Sequence, residues 1–194
     1  MSITLFTPEH SAVLLIDHQI GTMSWARSAA FEDIKLRALS LARGVIALGM
    51  PLVLTSSLED QAQGPMLDEF AEIAPEAYAS RVQRKGAVNA MNEPGFADAV
   101  KATGRRNLII AGVTNDVCTV FPALTALAQG YNVQVVADAG ASITKDADTI
   151  ALRRMERAGA DITSTNQVLA ELADDWASPG GQAVLPVMFD LIPA

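Results

Sequence analysis

The chain has 194 residues, half of them hydrophobic, which is enough to bury the core of one domain. A formal net charge of −8 leaves no basic face for a phosphate backbone, so nucleic acid is excluded as the expected partner. Apolar runs of about five residues are far short of a membrane span, and a single cysteine cannot form an internal disulfide, as suits a reducing cytoplasm.

The opening stretch MSITLFTPEHSAVLLIDHQ lacks the basic region and small-residue cleavage site of a signal peptide, which adds to the cytoplasmic expectation. Within it AVLLI (12–16) reads as the first strand and runs into Asp17. Apolar residues recur at helical spacing over 31–48, from Ile34 to Leu48, and Gly49 stops the pattern. PLVLT (51–55) is the second strand, 65–73 a short helix, and ASRVQR (79–84) the third strand, followed by Lys85 and Gly86. After a helix at 95–102, NLIIAG (107–112) is the fourth strand, and a helix at 116–128 carries Cys118 in its first turn. Pro122 removes the N–H that the Cys118 carbonyl would accept, so this helix is expected to bend or start irregularly. VQVVA (133–137) and DITS (161–164) complete the strands, with helices at 146–158 and 166–176.

Repeated strand–helix–strand units with unbroken apolar strands predict a parallel sheet covered on both faces. The fold class is therefore α/β: one doubly wound, three-layer domain over 1–178 with a mostly parallel six-stranded sheet. The remaining segment, 179–194, reads as an arm. Over 180–194 its two glycines and two prolines make a poor helix, yet it carries seven large apolar side chains from Val184 to Ile192 that must be covered. With the sheet already covered by crossover helices, the arm is expected at an oligomer interface.

In such sheets the site lies beyond the carboxyl ends of the strands. Asp17, Lys85 and Cys118 stand at the ends of strands one, three and four. A helix N-terminus and an ammonium both favour a thiolate, and a carboxylate kept partly dry can take the proton. Together they form an activated sulfur nucleophile that needs no histidine. Loss of Lys85 or Asp17 is accordingly expected to slow alkylation of Cys118.

LLIDHQ, RKGAVNA and AGVTNDVCT resemble the three signature segments of the isochorismatase-like cysteine hydrolases, which include nicotinamidases and N-carbamoylsarcosine amidohydrolases. DHQIGTMSWAR, TSSLEDQAQGP and FPALTALAQGYNV look most like the YcaC-like subgroup. The resemblance implies a sheet order of 3-2-1-4-5-6 and an Asp–Lys–Cys triad on Asp17, Lys85 and Cys118. It further implies a cis peptide at Val113–Thr114, an oxyanion hole made by the Thr114 and Cys118 amides, and a substrate pocket that includes Gln19 and Asn89. The implied reaction is attack on a small amide-type carbonyl, release of ammonia or an amine, and hydrolysis of the acyl-enzyme, in a homo-oligomer built as an octamer of stacked rings.

No cofactor is expected. Nicotinamidases bind a divalent ion through an aspartate and histidines after strand two, whereas that region here, TSSLEDQAQGP, holds no histidine. His18 follows Asp17 directly, so in extended chain the two side chains face opposite ways. No glycine-rich phosphate loop is present. The competing readings are a catalytically silent oligomer on the same fold, or a thiol-redox protein, although the chain has no resolving cysteine.

Overall fold

Six strands form the sheet in the computed structural model, which describes residues 5–192. Residues 1–4 and 193–194, the outer ends of the domain and arm read from the sequence, lie outside the described residues. The strands are β1 (Ser11–Ile16), β2 (Leu52–Ser57), β3 (Val82–Arg84), β4 (Asn107–Gly112), β5 (Asn132–Val136) and β6 (Asp161–Thr163). Their order is β3-β2-β1-β4-β5-β6, and every pairing is parallel. This is the implied order, with no antiparallel edge.

The central strands β1 and β4 are buried throughout. Val13 and Leu15 feed one core, while Ala12, Leu14 and Ile16 feed the other, because alternate side chains leave opposite faces. The first core is closed by α2 (Phe31–Ala47), α3 (Glu69–Ile73), α8 (Thr165–Ala173) and α9 (Pro179–Asp190). The second is closed by α5 (Pro94–Ala102), α6 (Val120–Ala128) and α7 (Lys145–Ala158). No helix among the described residues is long and apolar enough to cross a membrane.

Parallel register places the site. Ile16 stands opposite both Thr55 of β2 and Gly112 of β4, so Asp17 and Val113 leave the sheet side by side. Two short helices went unread in the sequence: α1 (Ile20–Trp25), just after Asp17, and α4 (Pro75–Ala79). Pro75 keeps Ala74 out of helical geometry and starts α4, so the predicted helix at 65–73 shrinks to α3 and the third strand begins only at Val82.

The arm is the main correction to the fold. Residues 179–190 are helical despite Pro186, with Pro179 in the first turn and the Ser178 hydroxyl accepting from Gly181 N at 2.9 Å. Val184 and Val187, three residues apart, are buried in the first core against α2 and α8. Tertiary burial has overridden poor propensity. The segment thus contributes to the domain's own core, and of its large apolar side chains among the described residues Phe189 and Ile192 remain exposed.

Candidate active site

A cavity of about 400 Å³ opens at the carboxyl end of the sheet. Its wall joins Asp17, Arg84, Thr114 and Cys118. A larger cleft of about 660 Å³ lies where the chain enters β1 and β2, but it contains no thiol. The smaller one holds the reactive groups.

Asp17 leaves β1 with φ 58°, a left-handed conformation that Asp tolerates better than most residues. Leu58, just past β2, has φ 49° and lines the same cavity, at a cost of roughly 1–2 kcal/mol. Backbone strain of this kind persists only where the surroundings impose it, and it concentrates at functional sites. Here the Asp17 N–H donates to Thr55 O at 2.9 Å and the Leu58 N–H to Arg84 O at 3.0 Å.

The cation beside Asp17 is Arg84, not Lys85. Arg84 is buried; its Nη2 donates to Asp17 Oδ1, its Nη1 to Ala87 O, and its Nε to Thr55 Oγ1 at 3.1 Å. Lys85 is exposed and lines a separate groove with Glu59 and Asp60. Strand alternation explains the exchange: Gln83 is exposed and Arg84 buried, so the next side chain again points outward. Gly86 then turns the chain at φ 116°, a conformation that favours glycine, and brings Ala87 and Val88 back to the cavity.

Cys118 sits in a π-turn, Asn115–Thr119, that precedes α6. The irregular start fits the missing N–H of Pro122. The Thr114 carbonyl accepts from Cys118 N at 2.8 Å, Thr119 N at 3.1 Å and Val117 N at 3.3 Å. The Cys118 amide is therefore committed, and the implied pair of oxyanion donors is reduced to one. The Thr114 N–H has no hydrogen-bond partner among the described residues. The Val113–Thr114 peptide is cis.

The thiol rests protonated. Burial and the neighbouring Asp17 carboxylate push Cys118 well above the ordinary thiol range, and the Thr114 backbone and Arg84 only partly oppose them. The thiol is within hydrogen-bond reach of Asp17. Burial also raises the Asp17 carboxyl above its usual range, against the pull of Arg84 and of the thiol's hydrogen bond. The result is a neutral thiol facing a carboxylate of raised proton affinity.

Gln19 and Asn89, implied as pocket residues, do not line the cavity. Gln19 is fully buried; its Nε2 donates to Ser57 O at 2.9 Å and Gly64 O at 2.5 Å, and its Oε1 accepts from Ser57 N at 2.8 Å. It braces the loop that carries Leu58. Asn89 accepts from Met91 N at 3.1 Å and donates to Thr125 Oγ1 at 2.8 Å, tying its loop to α6. The wall is instead built from Trp25, Leu58, Val88, Val117 and Ile143. The strand VQR is too short for alternation to choose Arg84 over Lys85, and the apolar wall had no sequence signal.

His18 points away from the site, with Nε2 on Ala139 O at 2.7 Å and its ring edge-on to Phe70. Desolvation lowers its pKa from 6.5 to about 4. The folded state thus binds fewer protons than the unfolded state between these values, and His18 contributes stability present above pH 6.5 and lost as pH falls through 4. The contribution is about 3 kcal/mol. Asp17, with its raised pKa, acts in the opposite sense, so His18→Gln is the proper reference. Urea melts from pH 7 to 4 should show wild type losing stability relative to this variant; parallel curves would refute the assignment.

A doubly wound sheet with an acid, a guanidinium and a thiol at its carboxyl edge defines a class: α/β proteins equipped for nucleophilic chemistry at the strand ends. The isochorismatase domain family matches residues 11–167, and the chain belongs to that family of hydrolases. It is 37% identical over 166 residues to the probable hydrolase YcaC of Escherichia coli strain K12, covering 86% of this chain and 79% of that protein. The crystal structure of Escherichia coli YcaC, described as an octameric hydrolase of unknown specificity, superposes with a TM-score of 0.93 at 36% identity, over 100% of this chain and 93% of that one. YcaC from Pseudomonas aeruginosa, solved with hexane-2,5-diol and covalent acrylamide, superposes with a TM-score of 0.91 at 37% identity, over 97% and 93% of the two chains.

Proposed function

We propose that the protein is a metal-independent cysteine hydrolase of small amide-type substrates, working through Asp17, Arg84 and Cys118. The observation that carries this reading is the thiol set against a carboxylate of raised proton affinity in a cavity wall. The covalent acrylamide on the Pseudomonas aeruginosa relative supports it from outside the chain.

In this mechanism the substrate carbonyl enters beside Cys118. Asp17 takes the thiol proton as sulfur attacks the carbon, so the thiolate exists only as the C–S bond forms. The carbonyl oxygen becomes negative and accepts from the free Thr114 N–H, a donor of a kind worth about 3 kcal/mol. The proton on Asp17 passes to the leaving nitrogen as the C–N bond breaks. Asp17 then removes a proton from water, which attacks the thioester, and the released sulfur recovers that proton. Arg84 holds Asp17 ionised in the resting enzyme and oriented throughout. Cytoplasmic operation fits the requirement for a reduced thiol.

Metal independence is supported by the residues after β2. Glu59 is engaged by Arg81 Nε at 2.9 Å and by Ser56 Oγ at 2.6 Å, and no three His, Cys, Asp or Glu side chains among the described residues are grouped to hold an ion. The test is ammonia release from a panel of small amides after dialysis against a chelator. Wild type should retain full turnover and Cys118→Ala should have none. Activity that vanishes with the chelator and returns with a divalent ion would refute metal independence, and full activity in Cys118→Ala would refute the nucleophile.

The same reading includes a homo-oligomer, in line with the octameric Escherichia coli relative. Phe189, in the last turn of α9, and Ile192, just beyond it, are exposed apolar side chains. Deleting the helix would strip Val184 and Val187 from the core, so Phe189→Asp is the cleaner probe. Light scattering should give an assembly for wild type and smaller species for the variant; a monomeric wild type would sink the idea.

A further inference from the structure

The cavity contains one cation and one anion, and each is already used. Among the described residues Arg84 and Asp17 are the only charged side chains in its wall, and they pair with each other. Each of the three guanidinium nitrogens of Arg84 donates one hydrogen bond, to Thr55, Ala87 and Asp17, and its charge is paired with the Asp17 carboxylate. Lys85, which a sequence reading would offer as a free cation, lies outside in the groove with Glu59 and Asp60. The rest of the wall is neutral. Ser57, Gln63 and Thr114 supply polar groups, while Trp25, Leu58, Val88, Val117 and Ile143 supply apolar surface.

An anion entering such a space gives up hydration and meets no unpaired positive charge, which is strongly unfavourable. An uncharged amide loses little and lays its acyl group on the apolar wall. Accordingly, we propose that the cavity takes uncharged amides with an apolar acyl group and excludes amides that also carry a carboxylate. This specificity deepens the hydrolase reading and rests on it for the identity of the reacting bond.

The test uses alkylation, which does not require hydrolysis. Iodoacetamide and iodoacetate deliver the same carbon to the same thiol and differ in charge. The iodoacetamide-to-iodoacetate rate ratio at Cys118, followed by intact-protein mass, should be at least about tenfold higher in the folded protein than in the urea-unfolded chain. Val88→Lys places a cation on an exposed part of the wall and should restore much of the iodoacetate rate. Ile150→Lys, an equal charge change at an exposed position on α7 outside the cavity wall, should not. A folded ratio equal to the unfolded one overturns the proposal, as does an equal effect of the two lysines, which would trace discrimination to the chain's net charge. Protection of Cys118 by butyramide but not by succinamate would support it independently; equal protection would count against it. If discrimination and protection hold while no amide is turned over, the hydrolase reading fails and the charge selectivity of the cavity stands.

Discussion

Arg84→Met is expected to cost about 3–5 kcal/mol of folding stability, because it leaves the buried Asp17 carboxylate without its partner. Lys85→Ala, at an exposed side chain one residue on, should stay within about 0.5 kcal/mol of wild type. Turnover should divide the same way. Without the guanidinium, burial acts on Asp17 unopposed, the carboxyl holds its proton at neutral pH, and the base is lost, a penalty of about 100-fold or more. Arg84→Lys keeps the charge but not the planar fork that reaches Thr55, Ala87 and Asp17 together, so it should recover only part of either property. Urea melts with parallel amide assays check both. An inactive Lys85→Ala beside an active Arg84→Met would reinstate the lysine triad.

Asp17→Asn should separate two properties that usually move together. The Asp17 carboxylate raises the Cys118 pKa by its charge and by its hydrogen bond, while Arg84 lowers it. Removing the carboxylate leaves the thiol beside an unpaired guanidinium, so the thiolate fraction near neutral pH should rise and alkylation should quicken. This reverses the expectation drawn from the sequence, in which the carboxylate only assists. Turnover should nevertheless fall by about 100-fold or more, since nothing remains to carry the proton to the leaving nitrogen. Iodoacetamide rates across pH, read beside ammonia release in a variant whose fold is checked by circular dichroism, give the answer. Slower alkylation would mean that Asp17 does not hold the thiol neutral.

The sheet was legible because its central strands are unbroken apolar runs, and AVLLI and NLIIAG have no other sensible place. That Asp17 and Cys118 share one cavity at the carboxyl end of the sheet followed from the rule that ligands meet the carboxyl ends of parallel strands. The choice between Arg84 and Lys85 did not follow. It depends on where a three-residue strand ends and how Gly86 turns, details that periodicity over so short a run does not resolve. Gln19 went to a loop brace because the burial of its amide depends on Ser57 and Gly64, some forty residues away. The last helix was misread for a related reason. Gly180, Gly181 and Pro186 argue locally against a helix, and only the core that receives Val184 and Val187 reverses the balance. The Cys118 amide was lost as an oxyanion donor to the Thr114 carbonyl, which the π-turn points at three successive N–H groups.

The central claim is that the sulfur of Cys118 becomes covalently acylated during turnover with its proton passing through Asp17, and the most direct measurement is intact-protein mass spectrometry of enzyme quenched in acid while hydrolysing an uncharged amide. The account predicts one acyl group per chain, mapped to the peptide containing Cys118, discharged by hydroxylamine and absent from Cys118→Ser. Ammonia release with no covalent species, undiminished in Cys118→Ser, would contradict it.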